Sequence, residues 1–322
     1  SYSGFDVNSP TRLQFPGGSR TEFRYNDARE LTGMTAALPG GDTLLERRYE
    51  YDLAGRLTRK QTESGRYDYG YDTLSRLLKV EYAPSTDAGA GQAEQRREAY
   101  RYDTLGNRTS ASGNDGSWRY NANNELLGSG ELEFDYDDNG NLTQKRVVTS
   151  SGDTGAAVNY LYDGANRLIR IEDDLTDTVI ASYHYDLFGR RLWKEVQGVR
   201  TYFFYADEGL IGEFDASGNP QVIYGWRPHS VWGTNPLFQQ RRGKYYWYRN
   251  DRLGTPQALT EASGRVVWAA DYDAYGQCRI TVADIENNLR LPGQYADAES
   301  GLYYNLNRYY DPDTDLYTQV DP

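Results

Sequence analysis

Few residues in this sequence combine the types and spacing that chemistry needs. Asp153-Thr154-Gly155 spells the triplet that carries the carboxylate of pepsin-like proteases, where it follows an apolar strand. Here it follows Thr149-Ser150-Ser151-Gly152, so it reads as a polar loop. Asp135, Asp137, Asn139 and Gly140 reproduce the first half of an EF-hand calcium loop, but Arg146 stands where a bidentate Glu is required. A tight turn explains the same residues. His184 and His229 are the only histidines, and His184 lies in the strand-like Ser182-Tyr183-His184-Tyr185, so neither a multi-histidine metal cluster nor a Ser-His-Asp arrangement is expected. Cys278 stands alone, which excludes a disulfide framework and a Cys-based zinc site. No Walker loop or Gly-x-Ser-x-Gly elbow occurs, and neither a cofactor nor a metal is expected. Trp226, Trp232 and Trp247 with nearby tyrosines could form a sugar-binding platform, packing being the plainer reading.

The elements that hold these residues are legible from composition and repetition. Tyrosine is unusually abundant: 30 of the 322 residues, against 9 Phe, 6 Trp and 1 Met, in a chain only 38% hydrophobic with mean hydropathy -0.82. A ring with a polar tip suits a half-buried sheet face. Many of the tyrosines open one recurring phrase, seen best as Tyr51-Asp52-Leu53-Ala54-Gly55-Arg56-Leu57. It returns at Tyr71, Tyr102, Tyr136, Tyr162 and Tyr185, with degenerate copies at Tyr25, Tyr120 and Tyr272. Asp at the first turn position accepts bonds from amides ahead of it, and Gly or Asn three residues later tolerates the left-handed conformation that closes a hairpin. The flanking sequence alternates with period two, as in Glu131-Leu132-Glu133-Phe134-Asp135-Tyr136. Short helices are expected only over 93–99 and 280–289. The class is all-β: a long coiled sheet of hairpins, with a propeller or sandwich as the blander alternative.

Charge and hydropathy exclude other classes. The longest apolar stretches, such as Tyr202 to Ala206, run to about five residues against the roughly 20 that span a bilayer. The N-terminus has neither the charged nor the apolar region of a signal peptide, and its lack of Met suggests a piece of something longer. A formal charge of -12, with basic residues only in short clusters such as Arg241-Arg242, argues against nucleic acid as a partner.

The Tyr-Asp phrase resembles the YD repeat of Rhs proteins, Tc toxin C components and teneurins. The C-terminal third is more specific: Asn250-Asp251-Arg252-Leu253-Gly254-Thr255-Pro256, Arg290-Leu291-Pro292-Gly293-Gln294-Tyr295, Gly301-Leu302-Tyr303-Tyr304-Asn305 and Arg308-Tyr309-Tyr310-Asp311-Pro312, then Asp321-Pro322. In that order it resembles the bacterial Rhs repeat-associated core.

The resemblance implies a sheet wound into part of a hollow shell, with residues 1–245 as shell wall and 246–322 as the core segment leading to a cleavage site. The implied partners are a C-terminal toxin domain as enclosed cargo, further repeats of the same polypeptide, and secretion-apparatus or spike proteins. The implied setting is a bacterial effector made in the cytoplasm and then exported or injected. In the family an aspartic self-cleaving site severs the toxin inside the shell. Its first Asp-Pro falls on Asp321-Pro322, with the second carboxylate expected further on, so this segment by itself is not expected to cleave. Arg308 and Asp311 are secondary candidates, the Arg biasing one carboxylate toward ionisation. Asp311 and Asp321 also read as Asp-Pro turn residues. An acidic or mixed lining could hold a basic cargo by weak, screened attraction. The rival reading is an extracellular YD-repeat scaffold for adhesion or carbohydrate binding, without cargo.

Overall fold

The hairpin phrase dictates the architecture seen in the computed structural model, which describes residues 2–6, 9–85, 96–111, 118–148 and 154–321. The chain divides into two compact units, one of Ser1–Asp115 with Thr260–Arg265, the other of Gly116–Leu259 with Val266–Pro322. The first holds a 10-stranded sheet running from Tyr2–Asp6 to Arg108–Ala111. The second holds a 16-stranded sheet from Arg119–Tyr120 to Cys278–Ala283 and a 4-stranded sheet from Tyr295–Ala296 to Leu316–Tyr317. In all three, strands that neighbour in space also neighbour in sequence. This is a continuous meander, without the four-strand grouping of propeller blades.

Each phrase builds one turn and ties it to the next. Asp52 Oδ1 accepts the backbone amides of Ala54 at 2.9 Å and Arg56 at 3.0 Å, and Oδ2 accepts Arg56 Nε at 2.7 Å. Gly55 takes φ 74°, and the register slips by one residue at Tyr51, so the turn carries the bulge of a three-residue hairpin loop. The tyrosine reaches back: Tyr71 donates its hydroxyl to Leu57 O at 2.9 Å, and Tyr102 to Leu77 O at 2.8 Å. The arginine reaches forward: Arg56 donates to Asp72 O at 3.2 Å and lies 5.1 Å from the Tyr71 ring centre. Arg76 does the same to Asp103 O at 3.1 Å and the Tyr102 ring at 4.8 Å, and Arg167 to Asp186 O at 3.1 Å and the Tyr185 ring at 5.3 Å. Tyrosine is abundant because this junction needs a ring for the guanidinium and a hydroxyl for the carbonyl, and Phe or Leu supplies only part of that.

Three local expectations are corrected. Of 93–99, the described part is strand, belonging to Arg96–Tyr102, which pairs with Leu77–Pro84. Of 280–289, Ile280 to Ala283 end the strand Cys278–Ala283, Ile280 pairing with Ala270, and the rest is non-helical. In both places cross-strand pairing outweighs helix propensity, which is worth only tenths of a kcal/mol per residue. The strand Thr154–Tyr162 starts inside the Asp-Thr-Gly triplet, and Asp153 lies outside the described residues.

Candidate functional site

The C-terminal residues form a tyrosine-rich sheet that packs within its unit onto the 16-stranded sheet. Tyr303, Tyr304, Tyr309 and Tyr310 are all buried. Tyr309 and Tyr185 share a hydroxyl contact at 2.9 Å, Tyr304 accepts the Arg191 amide at 2.8 Å, and Tyr310 donates to Tyr275 O at 2.7 Å.

A buried ion cluster fastens the two layers. Arg191 is 0% exposed and forks onto the equally buried Asp297 carboxylate, with Nη2 to Oδ1 at 3.0 Å. Lys194 Nζ bridges Asp297 Oδ1 at 3.0 Å and Glu299 Oε2 at 2.9 Å. The rings of Tyr304 and Phe203 stand 4.4 and 4.6 Å from the guanidinium. Burial pushes Asp297 up, but the charges of Arg191 and Lys194 outweigh it and hold the carboxyl below its ordinary range.

The three residues singled out in the sequence lie at the end of this layer. Arg308 and Asp311 bound one strand, Arg308–Asp311. Arg308 Nη2 lies 3.4 Å from Asp321 Oδ2, and the guanidinium sits 3.8 Å over the Tyr317 ring. Asp321 is open to solvent, with 72% of its side chain exposed. It lines a groove of about 220 Å³ together with Ala165, Asn166, Arg167, Asn307 and Val320. Asp311 points elsewhere: it is buried and takes Lys145 Nζ at 2.8 Å, and the same Lys145 reaches Asp313 at 3.0 Å. Burial drives the Asp311 carboxyl upward, and Lys145 only partly offsets this. The structure therefore pairs Arg308 with Asp321 and gives Asp311 a separate, buried partner.

Sequence reasoning missed Arg191, Lys194, Asp297 and Lys145. One signal was available for the first. Arg191 stands at the seventh position of its phrase, where Leu57, Leu77, Leu142 and Leu168 stand in four other copies and the buried Arg108 in a fifth. A charge in that buried place demands a counter-charge.

The other motifs dissolve into packing. Asp137 Oδ1 accepts the amides of Asn139 and Asn141, each at 2.9 Å, and Asp135 pairs with Arg146, so the calcium-like residues are a capped turn. His184 stacks on Trp193 at 5.4 Å. Trp226 and Trp232 line one cavity with Arg191 and Phe203, while Trp247 stacks on Tyr245, so the three do not present one platform.

A meander of Tyr-Asp hairpins, carrying a tyrosine-rich C-terminal sheet on the larger of its two long sheets, defines a YD-repeat shell protein. The family model described as Teneurin YD-shell matches residues 3–321, and the chain belongs to that family. It is 28% identical over 312 residues to double-stranded DNA deaminase toxin A of Burkholderia cenocepacia, covering 88% of this chain and 21% of the relative. It is 30% identical over 336 residues to the tRNA nuclease WapA of Bacillus subtilis, covering 100% of this chain and 13% of the relative. The probable deoxyribonuclease RhsA of Dickeya dadantii is 29% identical over 285 residues, 86% of this chain and 19% of its own. The chain thus spans between 13% and 21% of these bacterial relatives' length. Among solved structures, the Photorhabdus luminescens Tc holotoxin pore covers 100% of this chain and 18% of its own at TM-score 0.76 and 17% identity, a likeness of fold. No helix among the described residues is long and apolar enough to cross a membrane.

Proposed function

We propose that this chain is a wall and closing segment of a shell that contains a toxic effector domain of the same polypeptide. One observation carries the reading. Relatives that share this segment at 28 to 30% identity bear the names of a deaminase, a tRNA nuclease and a deoxyribonuclease. A segment common to three different chemistries supplies none of them, and holding the part that does is work it can share. The meander suits that work, because its strands pair in sequence order and can be lengthened hairpin by hairpin.

In this reading residues 1–245 belong to the wall and 246–322 to the core segment that ends at a self-cleaving site. Asp321 contributes one carboxylate of an aspartic pair. When the second is beside it, the two cannot both ionise; one activates water as base and the other, protonated, serves the scissile carbonyl as acid. The reading gives Asp321 the role of base, with Arg308 3.4 Å away to orient its carboxylate. Asp311 is a lesser candidate because its carboxylate is engaged by Lys145. Export, delivery proteins and the cargo itself belong to the same proposal.

The test is protease challenge of the full-length polypeptide. Cargo that resists digestion until the shell is denatured supports containment. Cargo digested as fast as the isolated domain overturns it, and glycan binding with no cargo would favour the scaffold reading.

A further inference from the structure

Counted from the tyrosine that opens a phrase, the residue nine places on pairs across the hairpin with the ring two places before that tyrosine. Register shows this for Tyr69 with Val80, Tyr100 with Ala111 and Tyr160 with Ile171, and equally for Tyr49 with Lys60, Phe134 with Lys145 and Tyr183 with Lys194. Val80 and Ile171 are buried there. An apolar residue satisfies the hairpin, so a lysine at this place stands there for its charge.

In the second unit this lysine is a clamp. Lys145 Nζ holds Asp311 Oδ2 at 2.8 Å and Asp313 Oδ2 at 3.0 Å, and Lys194 Nζ holds Asp297 Oδ1 at 3.0 Å and Glu299 Oε2 at 2.9 Å. The two sets match: two carboxylates two residues apart, the first of them opening a tight turn of the C-terminal sheet. The Asp297 carbonyl accepts the amide of Gly301 at 2.9 Å, and the Asp311 carbonyl that of Asp315 at 2.8 Å. Both lysines are largely covered, with 17% and 13% of the side chain exposed. At both places the phrase lysine seats an acidic turn.

Lys60 holds the same place in the first unit. Across the next three strands its row runs Lys60, Tyr67, Tyr82, Arg96, with two cations and no acid. Lys60 Nζ stands 4.1 Å from the Tyr67 ring centre, and the Arg96 guanidinium 5.5 Å from that of Tyr82. The adjacent row, on the opposite face, runs Glu50, Arg59, Asp68, Glu81, Arg97, and its ions pair among themselves. A ring contact does not displace the clamp, for Lys194 stands 5.4 Å from the Tyr295 ring while it holds both carboxylates. We propose that Lys60, flanked by Arg96, seats a third acidic turn, with two carboxylates two residues apart, from the same polypeptide outside residues 1–322. One clamp buries far less than the roughly 1,000 Å² that holds two separate molecules together, whereas a tethered partner needs less. The matched relatives, of which this segment is 21% and 13%, have room for such a turn. The seat depends on register and charge alone, and remains if no cargo is held and no bond is cut.

The experiment places a photoactivatable phenylalanine at position 82 of the full-length polypeptide, in the row of Lys60, and maps the cross-links by mass spectrometry. The expected product is an internal link to a turn outside residues 1–322 that carries two carboxylates two residues apart, with a yield that does not change on dilution. Lys60→Glu should lower that yield about fivefold, the factor that a half-exposed ion pair is worth. Changing the two mapped carboxylates to Lys in the Lys60→Glu background should then restore it. The restoration separates a clamp from a mere loss of fold, because reversing charges on a distant turn does not refold a damaged sheet. A link to a segment without the carboxylate pair, a yield unmoved by Lys60→Glu, a loss that the reversal leaves in place, links that vanish on dilution, or no link at all would overturn the proposal.

Discussion

Arg191 closes its guanidinium on the Asp297 carboxylate with neither group reachable by solvent, across 106 positions of sequence. Burying both ions is costly, and their attraction repays it only while both are present. Arg191→Leu restores the residue that other phrases carry but leaves Asp297 to Lys194 alone. The expected cost is about 3 to 5 kcal/mol, read as a lower urea midpoint. Asp297→Leu should cost a similar amount, and the double variant much less than the sum. Additive costs would show that the two charges do not depend on one another.

The junction between phrases predicts a coupling of its own. Tyr102→Phe removes a hydroxyl bond to Leu77 O but keeps the ring under Arg76, so a loss of about 1 kcal/mol is expected. Arg76→Ala removes the bond to Asp103 O, the Asp72 pair and the ring contact together, and should cost about 1 to 2 kcal/mol. Tyr102→Ala combined with Arg76→Ala should cost less than the two singles summed, by chemical denaturation.

Acid should loosen the turns first. In Asp52 the bonds from Arg56 lead and hold the carboxyl below its usual value. In Asp72, Asp163 and Asp186 burial pushes upward, but the bonds from Arg76, Arg167 and Arg190 outweigh it, and the net direction is again down. A carboxyl lowered in the fold contributes fully above its unfolded value, near 3.9, and loses that contribution as pH falls through the folded value. Asp311 has the opposite sign, since its raised carboxyl favours the fold at low pH and loses that advantage as pH rises. The lowered turn carboxylates named here outnumber it, so the urea midpoint should fall between about pH 5 and pH 2. Asp72→Asn should make that fall shallower, and an unchanged slope would count against the turn as its source.

How far the sequence reached follows from the range of each interaction. The Tyr-Asp hairpins were legible because an Asp caps amides two and four residues ahead, which is a local pattern. The forward reach of Arg56 to Asp72 was not, since the gap between phrases varies while the strand spacing does not. The packing of the C-terminal sheet was invisible for a stronger reason: Lys145 with Asp311 and Arg191 with Asp297 join residues that no local periodicity relates. Arg191 at the seventh phrase position, a place that Arg108 also holds in its own copy, was the local hint. For the candidate site, motif order brought Arg308 and Asp321 into view and the fold pairs them, but nothing local says that Asp311 turns away.

That turning away makes the roles of the two aspartates separable. In the full-length polypeptide, Asp321→Asn should leave the chain uncut on a denaturing gel, because an amide cannot act as a base toward water. Continued cutting would remove Asp321 from the proposed mechanism. Asp311→Asn deletes a carboxylate whose partner, Lys145, keeps Asp313 at 3.0 Å. Cutting should persist, with a stability change no larger than about 1 to 3 kcal/mol. Lys145→Met gives the sharper test. It leaves Asp311 buried with its cation gone, so the carboxyl should take up a proton and titrate higher than before, and stability should fall more at pH 8 than at pH 5. If Asp311 were instead a partner of Asp321 in catalysis, Lys145→Met would shift the pH profile of cutting itself. Cutting with an unmoved profile in a destabilised protein would identify Asp311 and Lys145 as the pair that seats the strand bearing Arg308.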